Sequence, residues 1–473
     1  MKHSILLFAA LAGVLTANGM AAATLREVHV TPLAAPDSGV HIAADRRITA
    51  DSLDAQAVTN ATPSDPSPLA VLPVAGISSR DYAIPFFVDL QPGPGILDFN
   101  CTRLTFDTHT GHDPYIRSFR EQQIGVPVFA IRDGVVVDMR DGEPDENTDS
   151  TNTALRSNYV YLRHSDTERS QYVHLKRNSV TVAIGDFVPA GTQIGMIGSS
   201  GPSAAPHIHF ETTIDGQPVE PMAGPCRPGL SAIPHQEQQL TADTPIAYGA
   251  TFSKLSFGSF RQPPFDDAPH TGTFLSGHQI LYFKAELANV GASTNYQLKL
   301  DPPGTFGNLI AAAGTLVNYD ASLVSVWWGI DVNLNQTGTW AIHLTADGKE
   351  LLNAPFTVVD NVAADVNRAP SPYSVSFDAP VIVPGRVPVC RVNNPIFGDP
   401  DYDVLTYRYR WMVNNEVVRD VSSAVRTDAL ARDKVRAGTT LTCSVTISDG
   451  KVETQPVSAF ASIETGRRRA VTK

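Results

Sequence analysis

Residues 195–211 read GMIGSSGPSAAPHIHFE, a Gly/Ser/Pro-rich loop running into His207-Ile208-His209 and then Phe210. In an extended strand, side chains at i and i+2 share a face. His207 and His209 are therefore expected to project side by side, with Ile208 turned into the opposite layer. Two imidazoles on one face of a rigid strand suit a metal and its reaction centre. The plainer reading is a pair of polar residues on an exposed strand face.

Two further stretches decide between these readings. Residues 108–113 read THTGHD and are followed by Pro114. The i,i+4 spacing of His109 and Asp113 could place them on one helix face, but Gly111 and Pro114 argue for a loop. One imidazole and one carboxylate from here, with one imidazole from the triplet, make a three-ligand set. Such a set leaves a fourth tetrahedral position open, as in a catalytic rather than a structural zinc site. Tyr172-Val173-His174-Leu175 alternates as a strand should and offers another imidazole.

The order HTGHD, YVHL, then a Gly-rich loop ending in PHIHFE resembles the lysostaphin-type zinc endopeptidases, over about residues 82–227. Residues 125–130 and 133–137 look like that family's strand, turn and strand, and residues 185–188 and 190–195 like its next hairpin. The resemblance implies the duplicated hybrid motif, a compact antiparallel β-structure. It also implies that His109, Asp113 and His209 hold Zn2+ and that His174 and His207 stand beside the attacking water. The implied substrate is a peptide cross-link or stem peptide of bacterial peptidoglycan. No H-E-x-x-H helix is present, so the Glu base of that other class is missing. The chain departs from the family after Asp113, where residues 114–124 form a longer connection than relatives use. His112 falls where the family has no ligand and is expected at the rim; His164 is expected to serve a turn.

In chain order, residues 1–23 read as a secretory signal peptide: Lys2, a mostly apolar run from Ile5 to Leu15, then Ala21-Ala22-Ala23. No later stretch is apolar and long enough to span a bilayer. The protein is expected to be exported, to the periplasm or beyond. Its net charge of −12 and pI near 5.5 leave no electrostatic footprint for nucleic acid or an anionic membrane. A chain of 473 residues exceeds one core. Residues 24–80, rich in Ala, Pro, Asp and Thr, read as a linker or pro-segment with a short strand at 27–30. Residues 81–229 are the peptidase-like domain. Its acidic connection, residues 138–157, carries Asp141, Glu143, Asp145, Glu146 and Asp149, which could bind calcium, but without EF-hand spacing a solvated loop is the favoured reading.

The rest of the chain also reads as all-β. Alternating runs at 280–287, 296–300, 325–332, 340–346 and 355–359, with a hairpin signal at Asp347-Gly348, indicate a β-sandwich over 239–360. Trp327, Trp328 and Trp340 are expected in its core, an aromatic sugar-binding platform being the alternative. Residues 371–463 have the order Cys390, Trp411, Cys443 of immunoglobulin-like sandwiches. Asp399, Asp401 and Asp403 resemble the acidic turn of bacterial Ig-like repeats. Residues 464–473 form a basic tail. Four Cys in an exported chain suggest two disulfides, and the pairing that respects the domains is Cys101–Cys226 and Cys390–Cys443. The leading functional reading is an exported zinc endopeptidase. Its rivals are a non-catalytic wall-binding or hydrolase-regulating relative, an adhesin whose β domains take cell-wall or protein ligands, and a secreted protease acting on Gly-rich proteins such as elastin.

Overall fold

The computed structural model describes residues 23–34, 71–226 apart from 92 and 223, 244–256, 269–290, 294–304, 309–315, 321–361 and 366–463. The signal-peptide run, residues 35–70 and the basic tail lie outside them. The alternating sequence answers with strands, almost all antiparallel; the exception is Thr273–Leu275, which runs parallel to Lys349–Val359.

The site-bearing unit is a six-stranded sheet in the order Gln217–Pro218, His209–Ile214, Glu168–Val173, Tyr159–Arg163, Gly134–Arg140, Phe187–Val188. A second layer pairs Pro127–Phe129 with Gln193–Met196. Val126, Val128, Leu162, Tyr172, Ile194, Ile208 and Phe210 fill the space between them. His164 is buried at the end of its strand, where its Nδ1–H donates to Asp133 O at 2.7 Å and Ser170 Oγ lies 2.7 Å from Nε2. Burial, aided by the Arg132 charge, pushes this imidazole down to about 3. Below its ordinary value of 6.5 the unfolded chain takes up a proton that the native chain refuses, so stability falls with falling pH between 6.5 and about 3. His164 alone is expected to contribute about 1.4 kcal/mol per pH unit to that slope. Urea unfolding of wild type and His164→Gln across that window checks it: equal slopes would remove His164 as the cause.

Two segments that read as linker are built into the fold. The expected short strand is longer, Ala23–Ala34, and pairs along Ala321–Leu334. Val71, Val74 and Ala75 pack into the core of the site-bearing unit. Their partners are more than fifty residues away in sequence, beyond the reach of local periodicity. The connection after Asp113 also differs from a plain loop. It contains the helix Phe119–Ile124, whose cap residue Ser118 accepts from Glu121 N–H at 3.2 Å. Glu121 in turn accepts from Arg117 N–H at 2.9 Å.

Residues 239–360 contribute two sheets that share one core. One sheet holds Ala23–Ala34, Ala321–Leu334, Gly277–Val290 and Ile246–Ser253; the other holds Thr273–Leu275, Lys349–Val359, Gly338–Ala346, Asn295–Asp301 and Leu309–Thr315. Asp347 and Gly348 make the expected tight turn, both at positive φ (48° and 80°). Trp328 and Trp340 lie in the core, and Trp327 is buried on the opposite face beneath the Lys284 ammonium. No face of these three rings is left open as a platform.

The C-terminal unit pairs a three-stranded sheet with a four-stranded one, Glu416–Ser423, Thr406–Val413, Thr440–Ser448 and Val457–Ser462. Trp411 packs with the Cys390–Cys443 disulfide, and its indole N–H donates to Asp428 at 2.8 Å. The acidic turn is structural: Asp399 Oδ1 accepts from Asp401 N–H, Asp401 binds the Arg368 guanidinium, and Asp403 binds Lys451. This unit does not sit apart. Val387, Val389, Ala424, Val425 and Ala429 complete the same core as Val128 and Ile194 of the site-bearing unit. The buried Asp81–Arg426 ion pair and the Asp133–Arg432 pair cross the same boundary.

Candidate active site

Backbone pairing assembles the site. His112 and Phe210 exchange N–H···O bonds at 2.8 and 2.9 Å, and Ile116 N–H donates to Pro206 O, which lays residues 112–116 along 206–210. On the other side His209 and Phe210 pair with Val173 and Tyr172. The sequence-predicted residues thus converge, and all five are buried. Ile208 turns into the core, as the strand alternation requires.

His109, Asp113 and His209 form the only group of three such side chains, among the described residues, with ligand atoms that close. His109 Nε2 lies 3.3 Å from His209 Nδ1 and 3.2 Å from Asp113 Oδ2, and His209 Nδ1 lies 3.0 Å from Asp113 Oδ1. A tetrahedral ion with ~2.0 Å bonds has edges of about 3.3 Å. The spacing and the N2O donor set therefore fit zinc. Each ligand is held from behind. His109 Nδ1–H donates to Phe87 O at 2.7 Å, so Nε2 faces the site. His209 presents the other nitrogen, with Nε2 turned towards Glu211. Gly111 is required here: a Cβ would stand 2.5 Å from Phe210 O and 2.8 Å from the His209 ring.

The charges follow from this packing. Burial alone would lower the His209 imidazole, but Asp113 and Glu211 outweigh it and push it up to about 10. Burial would raise the Asp113 carboxyl, but His109 and His209 hold it well below the usual range.

His174 and His207 form the second half, ring centroids 4.7 Å apart. His174 Nδ1–H donates to Ser200 O at 2.7 Å and His207 Nδ1–H to Ala205 O at 2.8 Å. A carbonyl can only accept, so each ring carries its proton on Nδ1 and offers Nε2 as a base. His174 Nε2 is buried without a hydrogen-bond partner. Burial and the neighbouring His207 push His174 down to about 3, and burial lowers His207 as well. Both are neutral near neutral pH. His174 also holds φ at 66°, a left-handed conformation outside the preference of most side chains and frequent at functional sites. Tyr115 stacks on His207 with centroids 4.3 Å apart and planes 4° from parallel.

The remaining sequence candidates serve the frame. His112 is not at the rim: it is buried, with Nε2 2.8 and 2.9 Å from the two Glu220 oxygens. That partner lies 108 residues downstream, which no local motif reveals. In the acidic connection, Asp141 accepts N–H groups of Gly142, Asn178 and Val180, and Asp145 those of Gln122 and Arg177. Asn147 and Asp149 fasten this connection to the Gly/Ser loop through Ser199, Gly201 and Ser203. Sequence reasoning missed Glu211, Thr110 and Tyr115. Glu211 stood two residues beyond His209, on the same strand face, which was the available signal.

The sequence model of peptidase family M23 matches residues 118–221, a span holding His174, His207 and His209. His109 and Asp113 lie just ahead of that span and are joined to it by the pairing of residues 112–116. Peptidoglycan DD-endopeptidase ShyA of Vibrio cholerae is 34% identical over 114 residues, which is 24% of this chain and 23% of that protein. DD-carboxypeptidase/endopeptidase Mpg of Neisseria meningitidis is 34% identical over 119 residues, 25% of this chain and 23% of that protein. The chain spans about a quarter of the length of these curated relatives. The catalytic domain of the antimicrobial peptidase lysostaphin from Staphylococcus simulans is 25% identical, covering 30% of this chain and 90% of that one, with a TM-score of 0.21. Residues 118–221 are thus a peptidase family M23 domain by sequence, and the zinc-fitting pair His109 and Asp113 docks against them.

Proposed function

We propose that this protein is an exported zinc-dependent endopeptidase that cleaves peptide bonds in peptidoglycan cross-links or stem peptides. One observation carries the reading: a closed His109–Asp113–His209 triad faces two neutral histidines, and the Nε2 of His174 is buried and unpartnered. The names of the curated relatives support the substrate class, and the apolar run before Ala21 supports export.

His109, Asp113 and His209 would hold the ion, which supplies Lewis acidity that activates a water and polarises the scissile carbonyl. Asp113 brings the one formal negative charge of the ligand set. His207 and His174 present Nε2 lone pairs fixed by their Nδ1–H bonds to backbone carbonyls. One of them accepts the proton from the attacking water. The resulting imidazolium donates to the oxyanion and then returns the proton to the departing amine, so both rings end neutral. Burial keeps both imidazoles neutral at rest, free to accept that proton.

The test is mass spectrometry of peptidoglycan fragments after incubation with zinc-loaded full-length protein. New peptide termini at cross-links or stems, absent with chelator, are expected. An intact wall beside cleavage of a Gly-rich protein would move the substrate class. No cleavage of either by a zinc-loaded protein would overturn the enzyme reading.

A further inference from the structure

We propose that Glu211, anchored by Thr110, is a positioning residue that sets which nitrogen His209 turns to the metal and balances the charge of the filled site. This rests on the reading that His109, Asp113 and His209 take zinc.

The geometry singles out His209. The other three imidazoles of the site all fix their Nδ1–H on a backbone carbonyl and face the site with Nε2. His209 does the reverse. Its Nδ1 meets Asp113 and His109, and its Nε2 points away, 3.5 Å from Glu211 Oε2. That carboxylate oxygen also accepts the Thr110 hydroxyl proton at 2.6 Å. Both carboxylate and ring are largely buried, with side-chain exposures of 13% and 8%. An imidazole binds a metal through one nitrogen only when the proton sits on the other. A carboxylate beside Nε2 stabilises that tautomer, aims the ring and raises the basicity of Nδ1.

The connectivity adds a second effect. Thr110 follows His109 directly, and Glu211 shares the strand face of His209. The Thr110–Glu211 bond therefore ties the two halves of the ligand set together from outside. Gly111, between Thr110 and His112, leaves the room the His209 ring needs. The charges also close. A divalent cation with Asp113 alone would leave one uncompensated positive charge in a buried site, and Glu211 brings the sum to zero.

The test is zinc affinity of full-length wild type, Glu211→Ala, Glu211→Gln, Thr110→Val and His207→Ala, by competition with a coloured chelator. It is paired with long-range 1H–15N correlation spectra of histidine-labelled protein. Glu211→Ala should raise the zinc dissociation constant about 10- to 100-fold. Glu211→Gln, which keeps an acceptor but not the charge, should recover part of that loss. Thr110→Val should shift it in the same direction by less, and His207→Ala should stay within about threefold of wild type. The spectra should show Nε2–H on His209 in zinc-loaded wild type and a weakened preference in Glu211→Ala. Circular dichroism of the zinc-free forms separates this from a merely structural role, since the zinc-free variants should keep the wild-type fold at the assay temperature. If Glu211→Ala does not fold, Glu211→Gln and Thr110→Val carry the test. Wild-type affinity and tautomer in the folded variants would overturn the proposal while leaving the metal reading standing. Wild type that takes no zinc would instead overturn the metal reading itself.

Discussion

Replacing His209 by alanine is expected to abolish stoichiometric zinc binding and with it hydrolysis, whereas replacing His207 is expected to leave zinc in place and cut turnover by about 100-fold or more. The two residues are neighbours on one strand, yet they face different partners. His209 Nδ1 is within 3.3 Å of both other members of the triad. His207 is tied through Nδ1 to Ala205 O and stacked on Tyr115, with no member of the triad as a hydrogen-bond partner. A site of two imidazoles and a carboxylate already leaves only one tetrahedral position open, so a third imidazole is not needed as a ligand. His174→Ala should behave like His207→Ala, since it carries the same tautomer and the same neutral resting state. Zinc content and peptide hydrolysis measured on the same preparations, with circular dichroism to confirm folding, decide the matter. If His207→Ala loses zinc while His209→Ala keeps it, the roles are reversed. If both keep zinc and hydrolyse normally, this cluster is not the reaction centre.

Asp81→Ala and Arg426→Ala are each expected to destabilise the site-bearing unit by about 3–5 kcal/mol, although neither residue touches the site. The two side chains are almost fully buried, at 0% and 4% exposure, 345 residues apart in sequence. Asp81 also accepts the N–H groups of Ile77 and Arg426. Arg426 also reaches Asn394 Oδ1 at 2.8 Å and Ile396 O at 2.9 Å. Removing either partner leaves the other as an uncompensated charge in the core. For a unit of this size, the loss corresponds to a melting temperature lower by roughly 6–20 °C. The double variant should cost less than the sum of the singles, because it leaves no lone charge. Urea midpoints unchanged in both single variants would contradict a shared core. So would a chain ending before Ser371 that melts like the full-length protein.

The site was legible in the sequence because its chemistry is carried by short motifs. HTGHD and HIH each keep two functional groups within a few residues and YVHL keeps one, and strand alternation supplies the facing of His207 and His209. The sandwich strands were legible for the same reason, since burial of one face writes a period of two into the residues. What escaped the sequence is pairing over distance. His112 looks solvent-facing until Glu220 is brought to it, and the capping pattern Ser118–Glu121 is too short to announce a helix against Gly125 and Pro127. The strand Ala23–Ala34 gives no hint that Ala321–Leu334 is its partner. Val387, Val389, Ala424 and Val425 look like residues of their own sandwich, because an apolar side chain carries no label for the core it joins.

That shared core has a consequence in time. A chain made from its N-terminus presents HTGHD, YVHL and HIH well before Ala424, Val425 and Arg426 exist. Until those residues arrive, the layer beneath His207 and His209 lacks part of its packing and Asp81 lacks its cation. Domains generally fold as units as they emerge, but here the unit is not finished until Arg426 and Ala429 have emerged. A chain arranged this way completes the packing beneath His207 and His209 only once Ala424, Val425 and Arg426 have joined the fold.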